Sequence, residues 1–105
     1  MLKDQTAIVG IGETEFSKSI DSTELNLACK AIKIALEDAG INPDQVDALG
    51  SFTYEETPEF EIARNLGFGN ITYWSQAPYG GGASCAAIGQ VAMAIASGVA
   101  NVGVV

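Results

Sequence analysis

The sequence predicts an α/β fold built around a mostly parallel sheet, and three observations support this prediction. First, short apolar or β-branched runs bounded by turn residues recur at residues 6–12, 48–53, 71–75 and 101–105. Second, segments with helical periodicity lie between these runs. Third, the connections are short, which favours parallel strands joined by right-handed helical crossovers. We therefore expect the order βαβαβαβ in one domain that covers residues 1–105.

The first strand is predicted at residues 6–12, an apolar run that we expect to be buried. Its glycines, Gly10 and Gly12, resemble the start of a dinucleotide-binding loop. However, Glu15 stands where the third glycine of that fingerprint belongs, and no helix begins directly at the turn. We instead expect the two glycines to let the chain leave the strand in an unusual conformation.

The clearest helix is predicted after the first loop, where Asp21 as N-cap and Glu24 match a capping box. An apolar stripe with helical spacing runs through residues 25–39, and Gly40 follows as the residue that ends the helix. Cys29 lies within this stripe and is therefore expected to be a core residue.

An acidic loop and a second helix follow the second predicted strand. Glu55 and Glu56 are adjacent carboxylates that can act as acid and base, but neighbouring carboxylates in an acidic loop are more often only solvated. The helix is predicted at residues 58–66, with Pro58 as its first residue and Gly67 after its end.

The strongest chemical signal is a glycine-rich turn that leads to a cysteine. Gly80, Gly81 and Gly82 precede Cys85, and residues 86–96 are mostly small and apolar, which predicts a helix. A helix N-terminus presents unpaired N–H groups and the positive end of the macrodipole, which lower the pKa of a thiol. Cys85 is therefore a candidate nucleophile, although a free cysteine more often only packs in a core. Because this helix carries no charge, we expect it to be packed closely on all sides.

Charge and cysteine usage restrict the function classes. Five basic and thirteen acidic residues give a net charge of −8, which argues against nucleic acid or an anionic membrane as a partner. The two cysteines lack metal-binding spacing and there is no histidine, so no metal site is predicted. Without a secretory signal, we expect a cytoplasmic protein with reduced thiols.

The second half of the sequence carries no charge, since no Asp, Glu, Lys or Arg follows Arg64. A membrane span over residues 83–105 is disfavoured because the segment contains Gln90 and Asn101 and has no flanking basic residues. We expect a helix and a strand that are buried on both faces or against another subunit. The last strand ends without a turn or cap, so the domain is expected to be incomplete, the first part of a longer protein.

Taken together, these features resemble the N-terminal half-domain of the thiolase superfamily, which includes the β-ketoacyl synthases. The matching segments are AIVGIG at 7–12, EDAG at 37–40, VD at 46–47, SCAA at 84–87 and IASGVANV at 95–102. The sequence most resembles the lipid-transfer-protein branch, which is related to the sterol-carrier-protein thiolases. It departs from thiolases at Ile88, where they usually have glycine, and at Tyr79–Gly82, which replaces an Asn-rich approach to the cysteine.

The resemblance implies a layered α-β-α-β-α sandwich with the Cys85 helix in its middle. It implies that Cys85 attacks an acyl-CoA thioester and that the turn supplies part of an oxyanion hole, with Gly81, Gly82 and Ser84 as its residues. Coenzyme A would be a substrate or acyl carrier rather than a bound cofactor. A homodimer is implied through the strand at residues 71–75, from Ile71 to Ser75.

Three functions follow from this reasoning. The main expectation is a thiolase-like acyltransferase that makes or breaks a C–C bond in lipid or sterol side-chain metabolism through an acyl-cysteine. The alternative is a retro-aldolase of the lipid-transfer-protein branch, which cleaves a β-hydroxyacyl-CoA with an OB-fold partner protein and leaves Cys85 a bystander. The non-enzymatic alternative is an interaction module that buries its apolar second half against a partner.

Overall fold

The structure is a computed structural model that describes residues 2–52, 57–78 and 80–105. Its helices are α1 (Glu24–Ala39), α2 (Glu59–Leu66) and α3 (Ala83–Ala96), and its strands are β1 (Ala48–Phe52), β2 (Tyr73–Ala77) and β3 (Gly103–Val104). A 3-10 helical turn, Pro43–Gln45, precedes β1. Helices therefore alternate with strands from β1 onward, as the sequence predicts.

The three strands form a parallel sheet in the order β2-β1-β3. In the central strand β1, Ala48 lies opposite Tyr73 on one side and Gly103 on the other. Helix α3 packs on one face of the sheet. On the other face, α2 and Leu49 line a common cavity, and α1 packs against α2. This arrangement confirms the predicted α/β class with a parallel sheet.

Helix α3 lies close to the sheet because two strand positions under it are glycines. Val91 is 4% exposed and packs with Ala48 and Ala100 in the core between α3 and the sheet. A Cβ at Gly50 would come within 2.7 Å of Val91 Cγ2, and a Cβ at Gly103 would overlap Val91 Cγ1. Since protein interiors are close-packed, a side chain at either position would push the helix away from the strands.

Residues 6–12 do not form the buried first strand that the sequence predicts. Ile8 is 74% exposed and Ile11 is 76% exposed. The segment is attached to α1 instead: a Cβ at Gly12 would overlap the helix backbone, and the Ile11 N–H donates to Asp38 Oδ2 at 3.0 Å. A strand needs a neighbouring strand for its backbone groups, and the described residues provide none beside this segment. Among the described residues, the apolar run therefore has no strand to pair with. Its glycines allow close contact with α1 rather than an unusual backbone conformation.

The third predicted strand is β2 of the structure, and it begins two residues later than predicted, at Tyr73 rather than at Ile71. Thr72 accounts for the difference, because its N–H donates to the Asp47 carbonyl at 2.8 Å and its Oγ1 donates to the Val99 carbonyl at 2.6 Å. These contacts bind Thr72 to the loops before β1 and β3. The pairing of β2 with β1 therefore starts at the next residue, Tyr73. Thr53, the predicted end of the second strand, lies outside the described residues.

The helix ends are close to their predicted places, with two corrections. The N-cap of α1 is Thr23 and not Asp21, because Thr23 Oγ1 accepts the Asn26 N–H at 3.1 Å. Gly40 ends α1 with φ of 70°, as the sequence predicts. Pro58 is the N-cap of α2 rather than its first helical residue.

Candidate functional site

The candidate nucleophile lies at the carboxyl end of the parallel sheet. Ala83 and Ala87, in the first turns of α3, pack with Ala77 at the end of β2 and with Phe52 at the end of β1. These contacts hold the start of the helix above the ends of two strands. Ligands of open α/β sheets bind at this edge.

The turn before α3 exposes its backbone. Gly80 has φ of 137°, a conformation that residues with a side chain rarely adopt, and its carbonyl accepts the Ala83 N–H at 3.1 Å. Gly82 is the N-cap and has no side chain to occupy the helix start. A Cβ at Gly81 or Gly82 would meet no atom within 4 Å. The backbone of this turn is therefore open to a ligand, and no packing contact requires these two glycines.

Cys85 is the third residue of α3 and is exposed, and Ser84 beside it is exposed as well. Within the described residues α3 is covered on one side only, so its expected packing on all sides stays a prediction. The helix meets the sheet along one stripe that includes Val91, whereas Ile88 is 45% exposed and Met93 is 49% exposed. The reason is geometric, because a single sheet face covers only one side of a helix.

The arrangement can perform two kinds of chemistry. An accessible thiol in the first turn of a helix can act as a nucleophile. The N–H groups of the same turn and the positive end of the helix dipole can stabilise a negative oxygen that develops on a carbonyl group. The structure brings Gly81, Gly82, Ser84 and Cys85 together in this turn, and their individual roles remain predictions. Tyr79 lies outside the described residues.

Two further polar side chains, Ser51 and Glu59, lie close together at the same edge of the sheet and were not predicted from the sequence. Ser51, one residue before the end of β1, is half-buried, and its Oγ is 3.5 Å from Glu59 Oε1 in the first turn of α2, a long hydrogen bond. The polar residue near the end of a buried strand is the signal that was available. Glu55 and Glu56, the acid and base candidates of the preceding loop, lie outside the described residues.

Asp47 is the most strongly hydrogen-bonded carboxylate of the described residues, and it lies at the opposite end of the sheet from Cys85. Its oxygens accept the backbone N–H of Asn101 and Val102, both at 2.9 Å, and the Asn101 side-chain amide at 3.2 Å. Burial raises the pKa of Asp47, but the N–H donors of Val102 and Asn101 outweigh burial and hold the pKa below its ordinary value. Asp47 therefore joins strands and is separate from the candidate site.

Cys29 is half-buried on α1 rather than fully enclosed, so the prediction of a core residue holds only in part. Burial raises the pKa of its thiol, and the nearby Lys33 ammonium acts in the opposite direction. In the described residues no cluster of Cys, Asp or Glu is suitable for a metal ion. None of the helices described is long and apolar enough to cross a membrane.

Two curated relatives resemble nearly the whole chain. The 17-hydroxy-3-oxo-4-pregnene-20-carboxyl-CoA lyase of Mycobacterium tuberculosis is 50% identical over 97% of this chain. The steroid side-chain-cleaving aldolase of Thermomonospora curvata is 47% identical over 97% of it. The chain spans about a quarter of these relatives, 26% of each. No protein-family model matches the chain.

Solved structures show the class of fold. The chain superimposes with a TM-score of 0.63 on 3-oxoacyl-(acyl carrier protein) synthase III from Xanthomonas oryzae, at 21% identity over 76% of this chain and 25% of that one. It superimposes with a TM-score of 0.58 on the priming β-ketosynthase of the R1128 polyketide pathway, at 26% identity over 78% of this chain and 26% of that one. The chain therefore has the thiolase-like α/β fold.

A third solved structure is more similar to this chain than these two. The Ltp2-ChsH2(DUF35) aldolase matches with a TM-score of 0.89 and 48% identity over 92% of this chain and 25% of that chain. Together with the two curated relatives, it confirms the resemblance to the lipid-transfer-protein branch of the thiolase superfamily.

Proposed function

We propose that residues 1–105 are the first part of an aldolase that cleaves the side chain of a steroid CoA thioester. The observation that carries this proposal is the 50% identity to the mycobacterial lyase over 97% of the chain. The relatives are a lyase and an aldolase, so they favour the retro-aldolase alternative over the acyltransferase that was the main expectation from the sequence.

The proposed reaction is a retro-aldol cleavage of a β-hydroxyacyl thioester. In a substrate such as that named for the mycobacterial relative, the 17-hydroxyl group lies β to the thioester carbonyl. A base takes the hydroxyl proton, the oxygen forms a ketone, and the C–C bond between the hydroxyl-bearing carbon and the α-carbon breaks. The electron pair of that bond forms the thioester enolate, which takes up a proton to give the shorter acyl-CoA. The step needs no oxidant and no bond to a cysteine.

We assign to the start of α3 the stabilisation of the enolate oxygen. Gly81 and Gly82 leave the turn backbone accessible, and Ser84 is exposed in the first turn of the helix. N–H donors aimed at a developing oxyanion contribute about 2.7–4 kcal/mol each where this has been tested by mutation. In this function Cys85 borders the site without forming an acyl intermediate. We assign no general base within residues 1–105.

Partners belong to the proposal as well. We propose that the protein works with a second subunit, since the solved aldolase that it resembles is named for two components. The resemblance to the lipid-transfer-protein branch implies that this subunit has an OB-fold. We also propose a homodimer through β2, because β2 is an edge strand of the described sheet and Trp74 on it is 64% exposed. Coenzyme A enters as part of the substrate and leaves as part of the acyl product.

The test uses the longer polypeptide that contains residues 1–105, together with any subunit that copurifies with it. It is incubated with 17-hydroxy-3-oxo-4-pregnene-20-carboxyl-CoA, and the steroid ketone and the shorter acyl-CoA are measured by mass spectrometry. Equimolar formation of the two products is the expected result. Acyl transfer to a second thiol without a steroid ketone would refute the proposal.

Two cysteine variants separate the retro-aldol step from the acyl-cysteine. Cys85→Ala is expected to retain turnover within about tenfold of the wild type, because no step forms a bond to its sulfur. Cys29→Ala is the matched control, since it removes the other thiol, which lies on α1 and not at the start of α3. A loss of about a thousandfold or more in Cys85→Ala alone, with folding intact, would restore the acyl-cysteine mechanism.

A further inference from the structure

Helix α3 carries one amide side chain, Gln90, in a run that is otherwise apolar or glycine from residue 86 to residue 96. Gln90 Oε1 is buried from solvent and, among the described residues, has no hydrogen-bond partner. A buried polar oxygen destabilises a fold unless it accepts a hydrogen bond, and nearly all such atoms in folded proteins do so. We therefore expect a hydrogen-bond donor close to this oxygen.

The edge strand β2 offers such a donor in Ser75. Its Oγ is also buried and has no partner in the part of the chain that the structure describes. Alternate residues of a strand share one face, and Tyr73 and Ala77, on either side of Ser75, pack in the core beneath α3. A serine hydroxyl can donate a hydrogen bond and an amide oxygen can accept it, so the two unpaired groups are chemically complementary.

The register of the sheet places Ser75 at the level of Gln90. Ser75 lies directly opposite Gly50 in the pairing of β2 with β1. A Cβ at Gly50 would lie 2.7 Å from Val91 Cγ2 and 3.4 Å from the Ala87 carbonyl oxygen. Helix α3 therefore passes over this level of the sheet with its residues 87–91, and Gln90 belongs to the same turn.

Gln90 lies on the side of α3 that faces β2. The opposite side of the helix, with Ile88 and Ile95, lines the cavity beside β3. Because successive residues of an α-helix are about 100° apart around its axis, Gln90 is about 140–160° away from these two side chains. Since β2 and β3 flank β1 on opposite sides, the Gln90 side chain is directed to the strand that carries Ser75.

We propose that the Ser75 hydroxyl donates a hydrogen bond to Gln90 Oε1 and that this pair positions α3 for the reaction. The bond joins the edge strand to the helix five residues after Cys85 and fixes the helix above the ends of the strands. N–H donors stabilise an oxyanion only when they are aimed at it. Ser75 and Gln90 are therefore positioning residues, which act through the start of α3. The effect on turnover rests on the proposed function, whereas the hydrogen bond does not.

A crystal structure of the longer polypeptide that contains residues 1–105 tests the bond directly. We expect a distance of about 3.2 Å or less between Ser75 Oγ and the Gln90 amide oxygen. A longer distance, with or without another group between the two atoms, would overturn the proposal.

Two single variants and their combination test the bond in solution. Ser75→Ala and Gln90→Met each leave one buried partner unpaired, so amides of α3 should exchange with solvent about tenfold faster or more. The double variant leaves neither group unpaired and should stay within about threefold of the wild type. Gln76→Met is the matched control, because Gln76 is the exposed neighbour of Ser75 on β2, and it should leave the exchange of α3 unchanged. Effects of the two single variants that multiply in the double variant would refute the pair.

Turnover separates positioning from stability. At a temperature where every variant is folded, kcat for the steroid CoA thioester should fall about tenfold or more in both single variants, with KM within about threefold of the wild type. The double variant should regain stability but not turnover, because no bond then ties α3 to β2. Wild-type kcat in the double variant would overturn the positioning role. A wild-type enzyme without aldolase activity would refute the proposed function and the positioning role with it, whereas the distance and the exchange rates would still decide the bond.

Discussion

Substitution of Asp47 by asparagine removes a negative charge from the point at which the three strands begin. Asp47 Oδ1 accepts the N–H of Asn101 and of Val102 at 2.9 Å each, and Oδ2 accepts the Asn101 N–H at 3.1 Å and its side-chain amide at 3.2 Å. The Asp47 carbonyl accepts the Thr72 N–H at 2.8 Å. One residue therefore ties the start of β1 to the starts of both neighbouring strands.

The expected cost follows from these contacts. A hydrogen bond to a charged group contributes about 1.5–3 kcal/mol, and bonds that share one carboxylate do not add fully. Asparagine keeps one acceptor oxygen, loses the charge and turns an NH₂ group toward N–H donors. We expect Asp47→Asn to lower the free energy of unfolding by about 2 kcal/mol, which corresponds to a fall in Tm of roughly 8–16 °C for a domain of about 100 residues.

The effect should depend on pH with a definite sign. The pKa of Asp47 is held below its ordinary value in the folded protein, so the folded state binds fewer protons than the unfolded state. The stabilisation is fully present above the pKa of an unfolded aspartate, about 3.9, and is lost as the pH falls through the lower folded value. The difference in stability between wild type and Asp47→Asn should therefore shrink below about pH 4.

Thermal unfolding at neutral and acidic pH measures this difference, and hydrogen exchange at Asn101 and Val102 reports the individual bonds. Asp44→Asn is the matched control, because Asp44 is exposed in the 3-10 turn and the substitution makes the same charge change. If the two variants differ by less than about 0.5 kcal/mol at pH 7, the carboxylate does not join the strands as argued. A difference that stays constant from pH 7 to pH 3 would contradict the pKa argument.

Three further outcomes are expected. Gly103→Ala should lower the free energy of unfolding by about 1–3 kcal/mol, measured by chemical denaturation, because the added methyl group overlaps Val91. Gly89→Ala should instead raise it by about 0.5–1 kcal/mol, since its Cβ would meet no atom within 4 Å and alanine favours a helix; equal effects of the two substitutions would rule out the steric explanation. Iodoacetamide should modify the exposed Cys85 before the half-buried Cys29, whose thiol has a pKa raised by burial, and faster labelling of Cys29 in a peptide map would contradict the structure.

Elements with local signals were predictable from the sequence. The ends of α1 and α2 follow from residues beside them, and Gly40 and Gly67 end these helices with φ of 70° and 71°. The exact N-cap was not predictable, because Asp21 and Thr23 are both good caps and the choice depends on how the preceding loop approaches the helix.

Features that depend on distant residues were not predictable. The role of Asp47 requires that residues 101 and 102 lie next to it, and no local pattern indicates this approach. Glycine generally weakens a strand, whereas in this fold the glycines at positions 50 and 103 leave room for Val91. In both cases the physical cause is a contact between different elements: Asp47 meets residues 54 and 55 positions further along the chain, and both glycines meet a side chain of α3.

The candidate site shows the same contrast. Its position follows from local sequence signals, whereas its chemistry does not. A glycine turn between a strand and a helix places Cys85 at the carboxyl edge of a parallel sheet by local geometry alone. An open helix start stabilises an oxyanion equally well whether that oxygen belongs to an acyl-cysteine adduct or to a thioester enolate. The two reactions also differ in the group that moves the proton, and the sequence contains no histidine, the commonest general base, to indicate that group. The comparison of Cys85→Ala with Cys29→Ala therefore tests the one difference that residues 1–105 themselves carry, whether a bond to the Cys85 sulfur is part of the reaction.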